Sequence, residues 1–395
     1  AYLFSFSDTD FNGGTLESII GKGYTGGKNL DIANLDDDDE FGSGVSLNGV
    51  GDRLAVGAQL DDGAGNVTND NGSVYLFNFT DTDFNGGTLE STIGKGYTGG
   101  KDVDVANLDD GDFFGSDVSL NGIGERLAVG ANNDAGAGNV ANDTGTVYLL
   151  SFTDTDFNGG TLESTVGKGY TGGKNLDMSN LDNFDFFGTS VSLNGAGDRL
   201  AVGAFRDDGA SNAATKSGAA YLFSFIDTDF TGGTLESTIG KGYTGGKNLD
   251  VTDLENLDEF GRAVSLNSAG DRLAVGAHFD NGAGNAVTDS GAAYLFSFTN
   301  ADFNGGNLES TIGKGYTLGI INQNLDVSNL DDGDQFGSSV ALNGVGDRLA
   351  VGAPSDDGAS NVSVDTGAIY LITFSDTNFN GGTLESIIGK GYRDR

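Results

Sequence analysis

The tetrad Thr-Leu-Glu-Ser begins at Thr15, Thr88, Thr161 and Thr234, returns as Asn-Leu-Glu-Ser at Asn307, and recurs at Thr383. The spacing is 73 residues four times and then 76, with the three extra residues in the segment YTLGIINQNLD. Such a period means copies of one supersecondary unit, each burying its apolar face against its neighbours. Near-identical copies dictate near-identical local structure. A unique catalytic centre is hard to build that way, whereas a multiplied weak interaction is easy.

Each unit contains four strand candidates: FGSGVSLN from Phe41, DRLAVGA from Asp52, SVYLFNF from Ser73 and TLESTIG from Thr88. In the third, Tyr75, Phe77 and Phe79 face one side and Val74 and Leu76 the other, so both faces read as buried. Gly, Asn and Asp punctuate the junctions, giving a tight hairpin over 47–52 and a longer polar loop over 61–72. The connector KGYTGGKNLDIANLDDDDE is too rich in Gly, Asn and Asp for a helix.

The expected fold is all-β, with tandem four-stranded antiparallel blades in a β-propeller and an open repeat fibre as the alternative. About five complete repeats follow an N-terminal half repeat. A single array over 1–395 divides into a partial repeat and connector over 1–40, repeats over 41–113, 114–186, 187–259 and 260–335, and a C-terminal repeat over 336–395.

Phe41-Gly42 is followed by Val56-Gly57-Ala58 and then GSVYLF. The first pair recurs at Phe114-Gly115, Phe187-Gly188, Phe260-Gly261 and Phe336-Gly337. The second signature recurs at Val129-Gly130-Ala131, Val202-Gly203-Ala204, Val275-Gly276-Ala277 and Val351-Gly352-Ala353-Pro354. This order resembles the FG-GAP repeat of integrin alpha chains and of secreted bacterial β-propellers. The resemblance implies a propeller used for adhesion or extracellular recognition, and not an enzyme. It also implies a calcium loop between the two signatures. Only Asn48-Gly49-Val50-Gly51-Asp52 stands there, so that site is not carried over.

Five FG and VGA pairs accompany six YLF and LES halves. The unmatched half leaves three solutions: upstream sequence supplies the missing strands, a neighbouring molecule supplies them, or the repeats do not close.

A formal charge of -38 leaves no basic surface to neutralise phosphates, which excludes nucleic-acid wrapping. With no cysteine, disulfides and thiolate metal sites are excluded. No apolar run approaches the roughly 20 residues of a membrane helix, so direct membrane insertion is not expected.

Oxygen-rich turns are the metal candidates. In SDTDFNGGTLES, Asp8, Asp10 and Asn12 alternate before two glycines, with Glu17 in the next strand; the equivalents are Asp81, Asp83, Asn85 and Glu90, then Asp154, Asp156, Asn158 and Glu163. Alternating oxygen ligands before a glycine turn resemble the first half of a calcium loop. The competing reading is an Asx turn that closes a hairpin. A second acidic run precedes each FG strand, as at Asp36 to Glu40, at Asp109, Asp110 and Asp112, and at Asp331, Asp332 and Asp334. It either crowds a cation or faces water.

The GKGY copies, such as Lys22 with Tyr24 and Lys95 with Tyr97, either form a row that binds glycan or pack between blades with lysine offsetting nearby acids. His278 has no repeated partner. The leading functional expectation is an extracellular or cell-surface structural or adhesive protein, stabilised by calcium and self-associating into a homopolymeric fibre. The alternative is a closed propeller lectin or receptor for a glycan or surface protein. An extracellular hydrolase ranks third.

Overall fold

The computed structural model describes residues 1–7, 13–317, 323–361 and 363–392. Its strands form six sheets, and the only helical element among the described residues is a 3-10 turn at Ala210–Asn212. Blade 1 is a meander of Phe41–Leu47, Arg53–Ala58, Ser73–Asn78 and Thr88–Gly94. All neighbours in it pair antiparallel. These are the FG, VGA, YLF and LES strands expected from sequence. A fifth strand of two residues, Val103–Asp104, runs parallel to the LES strand and was not foreseen. Blades 2, 3 and 4 repeat the pattern from Phe114, Phe187 and Phe260. Blade 5 has four strands, and the first sheet has three, Tyr2–Ser5, Thr15–Gly21 and Leu30–Asp31, without an FG or VGA strand. The protein is thus all-β, with six propeller-type blades: blades 1 to 5 and the reduced three-stranded one that precedes them. Among the described residues no helix is long and apolar enough to cross a membrane.

The chain divides into two compact units, Ala1–Asn180 with Thr228–Phe230, and Leu181–Asp227 with Thr231–Arg395. The first unit contains the reduced sheet and blades 1 and 2. The second contains blades 3, 4 and 5, apart from the short Thr228–Phe230 turn.

Within each unit, successive blades touch backbone to backbone. In the first, the Phe114 N–H donates to the Asn71 carbonyl at 2.9 Å. A Cβ placed on Gly57 would lie 1.9 Å from the Gly115 carbonyl oxygen. In the second, the same overlap would occur between Gly203 and Gly261 and between Gly276 and Gly337. The glycine of the VGA signature is therefore required by the following blade's FG strand, because no side chain fits between them.

Aromatic packing fills each blade. Phe114 meets Tyr148 edge-on at 5.4 Å, and both rings are buried. Phe157, in the middle of the DTDFNGG turn, has φ 58° yet is fully buried against Phe152 at 5.1 Å. A left-handed conformation costs a residue with a Cβ about 1–2 kcal/mol. Burying a phenyl ring returns roughly 1.5–3 kcal/mol, enough to hold the turn.

Arginines at the start of the VGA strands tie a blade to the next DTDF turn. In the first unit Arg126 Nη2 lies 2.7 Å from Asp229 Oδ1, and in the second Arg199 Nη2 lies 2.7 Å from Asp302 Oδ1.

Candidate recognition site

Every full blade carries one deeply placed aspartate after its VGA signature. In blade 2, Asp134 accepts the Tyr148 hydroxyl at 2.6 Å, the Gly136 N–H at 2.7 Å and the Tyr170 hydroxyl at 3.2 Å. Tyr170 belongs to GKGY, and its counterparts Tyr97, Tyr243, Tyr316 and Tyr392 donate to Asp61, Asp207, Asp280 and Asp356. Lys95 lies 3.7 Å from Asp109. The GKGY tyrosines thus pack within their own blade and not between blades, while the lysine offsets a nearby acid as expected.

Burial raises the Asp134 carboxyl above its ordinary range. Beside it, Asp112 accepts the Asp109 N–H at 2.7 Å. Burial, then the Asp134 charge, raises Asp112 to about 7. A cavity of about 540 Å³ opens at this pair, lined by Asp109, Asn139 and Tyr170 among others. A cavity of about 510 Å³ recurs in blade 5 beside Asp331, Asn361 and Tyr392. Among the described residues, no group of three or more His, Cys, Asp or Glu side chains is arranged to hold a metal ion.

The turn candidates for calcium have protein partners. Asp8, Asp10 and Asn12 lie outside the described residues, while Glu17 accepts the Ser5 hydroxyl and pairs with Lys28. Both Asp81 oxygens accept the Asn85 amide, at 3.0 and 2.9 Å, and the Asn85 side chain is the chief reason its carboxyl sits below the ordinary range. The Asp83 N–H also donates to Asp81, while Glu90 pairs with Lys101. In the next copy Asn158 donates to Asp154, Glu163 pairs with Lys174, and Asp156 accepts from Arg53 and Asn78.

One cluster departs from the repeat, and it lies wholly within the second unit. Arg206 stands where the other repeats have Leu60, Asn133, Phe279 or Ser355; Arg262 replaces Ser or Thr; Lys216 replaces the Asp of all four other copies. These are the cations among the described residues that no other unit repeats. All three act on Glu259, which is 5 % exposed. Burial raises the Glu259 carboxyl, and Arg206, Arg262 and Lys216 oppose that shift.

The local backbone explains this convergence. The Glu259 N–H donates to the Lys216 carbonyl at 3.1 Å, bringing the loop before the FG strand of blade 4 onto the loop of blade 3. Arg206 Nε lies 3.5 Å from Glu259 Oε1, and His278 Nε2 lies 3.5 Å from Oε2. The Arg206 guanidinium sits 5.0 Å from the Phe186 ring centre and 5.1 Å from that of Phe205, while Arg262 sits 5.3 Å from Phe205. His278 stacks on Phe279 at 3.9 Å. Burial, then Arg262 and Arg206, lowers its imidazole to about 3, so it is neutral at physiological pH. Its Nδ1 is buried without a hydrogen-bond partner among the described residues.

The rim of this cluster is apolar and strained. Phe184 is 50 % exposed at φ 68°, and Leu257 is 53 % exposed at φ 75°. Two other repeats place Gly111 and Gly333 at the same turn position, where a left-handed φ carries no Cβ penalty. Apolar side chains therefore stand at a position whose backbone favours glycine, a kind of strain that collects at functional sites. The sequence reading passed over these residues, although each was visible as a departure from the repeat.

The FG-GAP repeat family matches residues 34–77, 178–223, 249–296 and 323–372, together a little under half of the chain. The chain therefore contains FG-GAP repeats, in keeping with the signatures and the blades. No curated protein sequence matches it significantly. Among solved structures, it is similar to Sqt1 of Saccharomyces cerevisiae, with 10% identity over 90% of this chain and a TM-score of 0.42. The chain spans 64% of the length of that protein's chain.

Proposed function

We propose that this FG-GAP-repeat chain is a binding module of the propeller type, recognising a partner's carboxylate group at the Arg206, Arg262 and Glu259 cluster. The protein is non-enzymatic: it carries FG-GAP repeats, and its acid and hydroxyl constellations are copied from blade to blade. The observation supporting a recognition site is the gathering of three non-repeated cations and the single histidine around one buried glutamate. Arginine held over phenyl rings keeps N–H donors for a planar carboxylate. A net charge of -38 repels extended polyanions, so the cluster suits a short group with one charge beside an apolar surface.

The partner is a glycan or a surface protein met outside the cell. Calorimetric titration with a uronate disaccharide and with an acidic tripeptide separates these sources. Saturable binding of one probe, lost in Arg206→Ala and Arg262→Ala, supports the reading. Saturation by neither probe would sink it.

A second reading is the calcium-stabilised adhesive array, self-associating on a cell surface. Two recurring cavities, one lined by Asp109, Asp112 and Asp134 and the other by Asp331, support a repeated cation site. Calcium in the turns at Asp81, Asp83, Asn85 and Glu90, or at Asp154, Asp156, Asn158 and Glu163, must displace the amide contacts and lysine pairs described above. Calcium titration followed by melting and sedimentation tests both ideas, and no change in either property rejects them.

A further inference from the structure

The outward face of blade 5 is built for a contact that the described residues do not supply. Gly352, Ile369 and Ile388 lie in register across its VGA, YLF and LES strands. Ile369 is 45 % and Ile388 48 % exposed. Their counterparts Val74 and Ile93 in blade 1, and Ala293 and Ile312 in blade 4, are fully buried. Those are the faces on which a following blade lays its FG strand.

The glycines carry the same message. Cβ atoms on Gly276 and Gly291 would each lie 1.9 Å from a carbonyl oxygen of the following FG segment, Gly337 for one and Phe336 for the other. At Gly352 a Cβ would meet chiefly the flexible Ser339 hydroxyl, and at Gly367 the Pro354 carbonyl at 3.2 Å, both within blade 5. A cavity of about 500 Å³ lies over these residues.

Exposed aromatic rings also mark the reduced sheet of the first unit. Tyr2 and Phe4 in its reduced sheet are 60 % and 53 % exposed, whereas Tyr75 and Phe77 are buried, each with the Phe41 ring edge-on at 5.5 and 6.4 Å.

We infer that the Gly352, Ile369 and Ile388 face is a docking site for a further FG–VGA strand pair of this repeat. The occupant follows from the interface already formed between blades 3 and 4 and between blades 4 and 5. There the FG phenylalanine N–H enters the preceding loop, as Phe336 donates to Ser290 at 3.0 Å, and the glycine carbonyl covers the VGA glycine. Such recognition combines main-chain pairing with apolar burial.

The probe is an 18-residue labelled peptide with the sequence of residues 41–58, titrated into the full chain by fluorescence anisotropy. Saturable binding is expected. It should weaken at least about tenfold in Ile388→Glu and in Ile369→Glu, and remain unchanged in Ile226→Glu, which alters an exposed residue elsewhere in the same unit. Melting of each variant shows that it is folded. Absence of saturation, or equal weakening by the Ile226 control, overturns the inference. Binding unaffected by the Ile369 and Ile388 substitutions places the peptide elsewhere and also overturns it. Because Arg206 and Arg262 take no part, failure here is distinct from failure of carboxylate recognition.

Discussion

The Tyr148 hydroxyl donates to the Asp134 carboxylate at 2.6 Å, and both residues are buried. The YLF strand and the loop after the VGA strand are joined by this bond in every full blade. Removing the donor leaves a buried carboxylate less satisfied. Tyr148→Phe is expected to lower unfolding free energy by about 1–3 kcal/mol in urea. A loss under about 0.5 kcal/mol would show that the bond is not holding the loop.

The buried acid pairs set an unusual pH dependence. Asp112, Asp185 and Asp258 are raised to about 7 and Asp334 to about 6, in each case first by burial. An unfolded Asp titrates near 3.9, so between about pH 4 and 7 the folded state binds more protons than the unfolded one. Stability from these groups is present at the acidic end of that window and lost as pH rises through 7. Melting should move upward from pH 8 to pH 5.5. A lower melting temperature at pH 5.5 would contradict the assignment.

The two partners of the Arg199 clamp should differ. Asp302 is 55 % exposed at its side chain, so Asp302→Ala should cost less than about 1 kcal/mol. Arg199 also donates to the Ala301 carbonyl at 2.7 Å and the Asp198 carbonyl at 2.8 Å. Arg199→Ala should therefore cost more, about 1–3 kcal/mol, in the same denaturation assay. Equal losses would place the whole effect in the ion pair.

Two glycines of identical sequence context should respond differently to a methyl group. Gly203→Ala forces a Cβ into the Gly261 carbonyl and is expected to cost several kcal/mol or prevent folding. Gly352→Ala meets chiefly a serine hydroxyl that can rotate, and should cost about 1 kcal/mol or less. Parallel melts of the two variants decide this, and equal destabilisation would mean that blade 5 is covered like its neighbours.

Much of a blade is legible in one 73-residue period, because alternation and glycine turns mark four strands and repetition removes chance patterns. The parallel strand at Val103–Asp104 is too short to produce a pattern. Phe157 was unreadable as a turn anchor because its role depends on a left-handed backbone and on Phe152 across the hairpin. Lys216, Arg206 and Arg262 went unremarked for another reason. Attention to what the copies share hides the positions where one copy differs, and only folding brings those three side chains to one glutamate.

The glycine contacts also determine how the second unit comes apart. In the second unit the FG strands of blades 4 and 5 each rest on the blade before, so blade 4 is held on two sides and blade 5 on one. Loss of structure should therefore reach blade 5 before blade 4, like a zip opening from its loose end. Amide exchange would then be faster around Ile388 than around Tyr294 in blade 4.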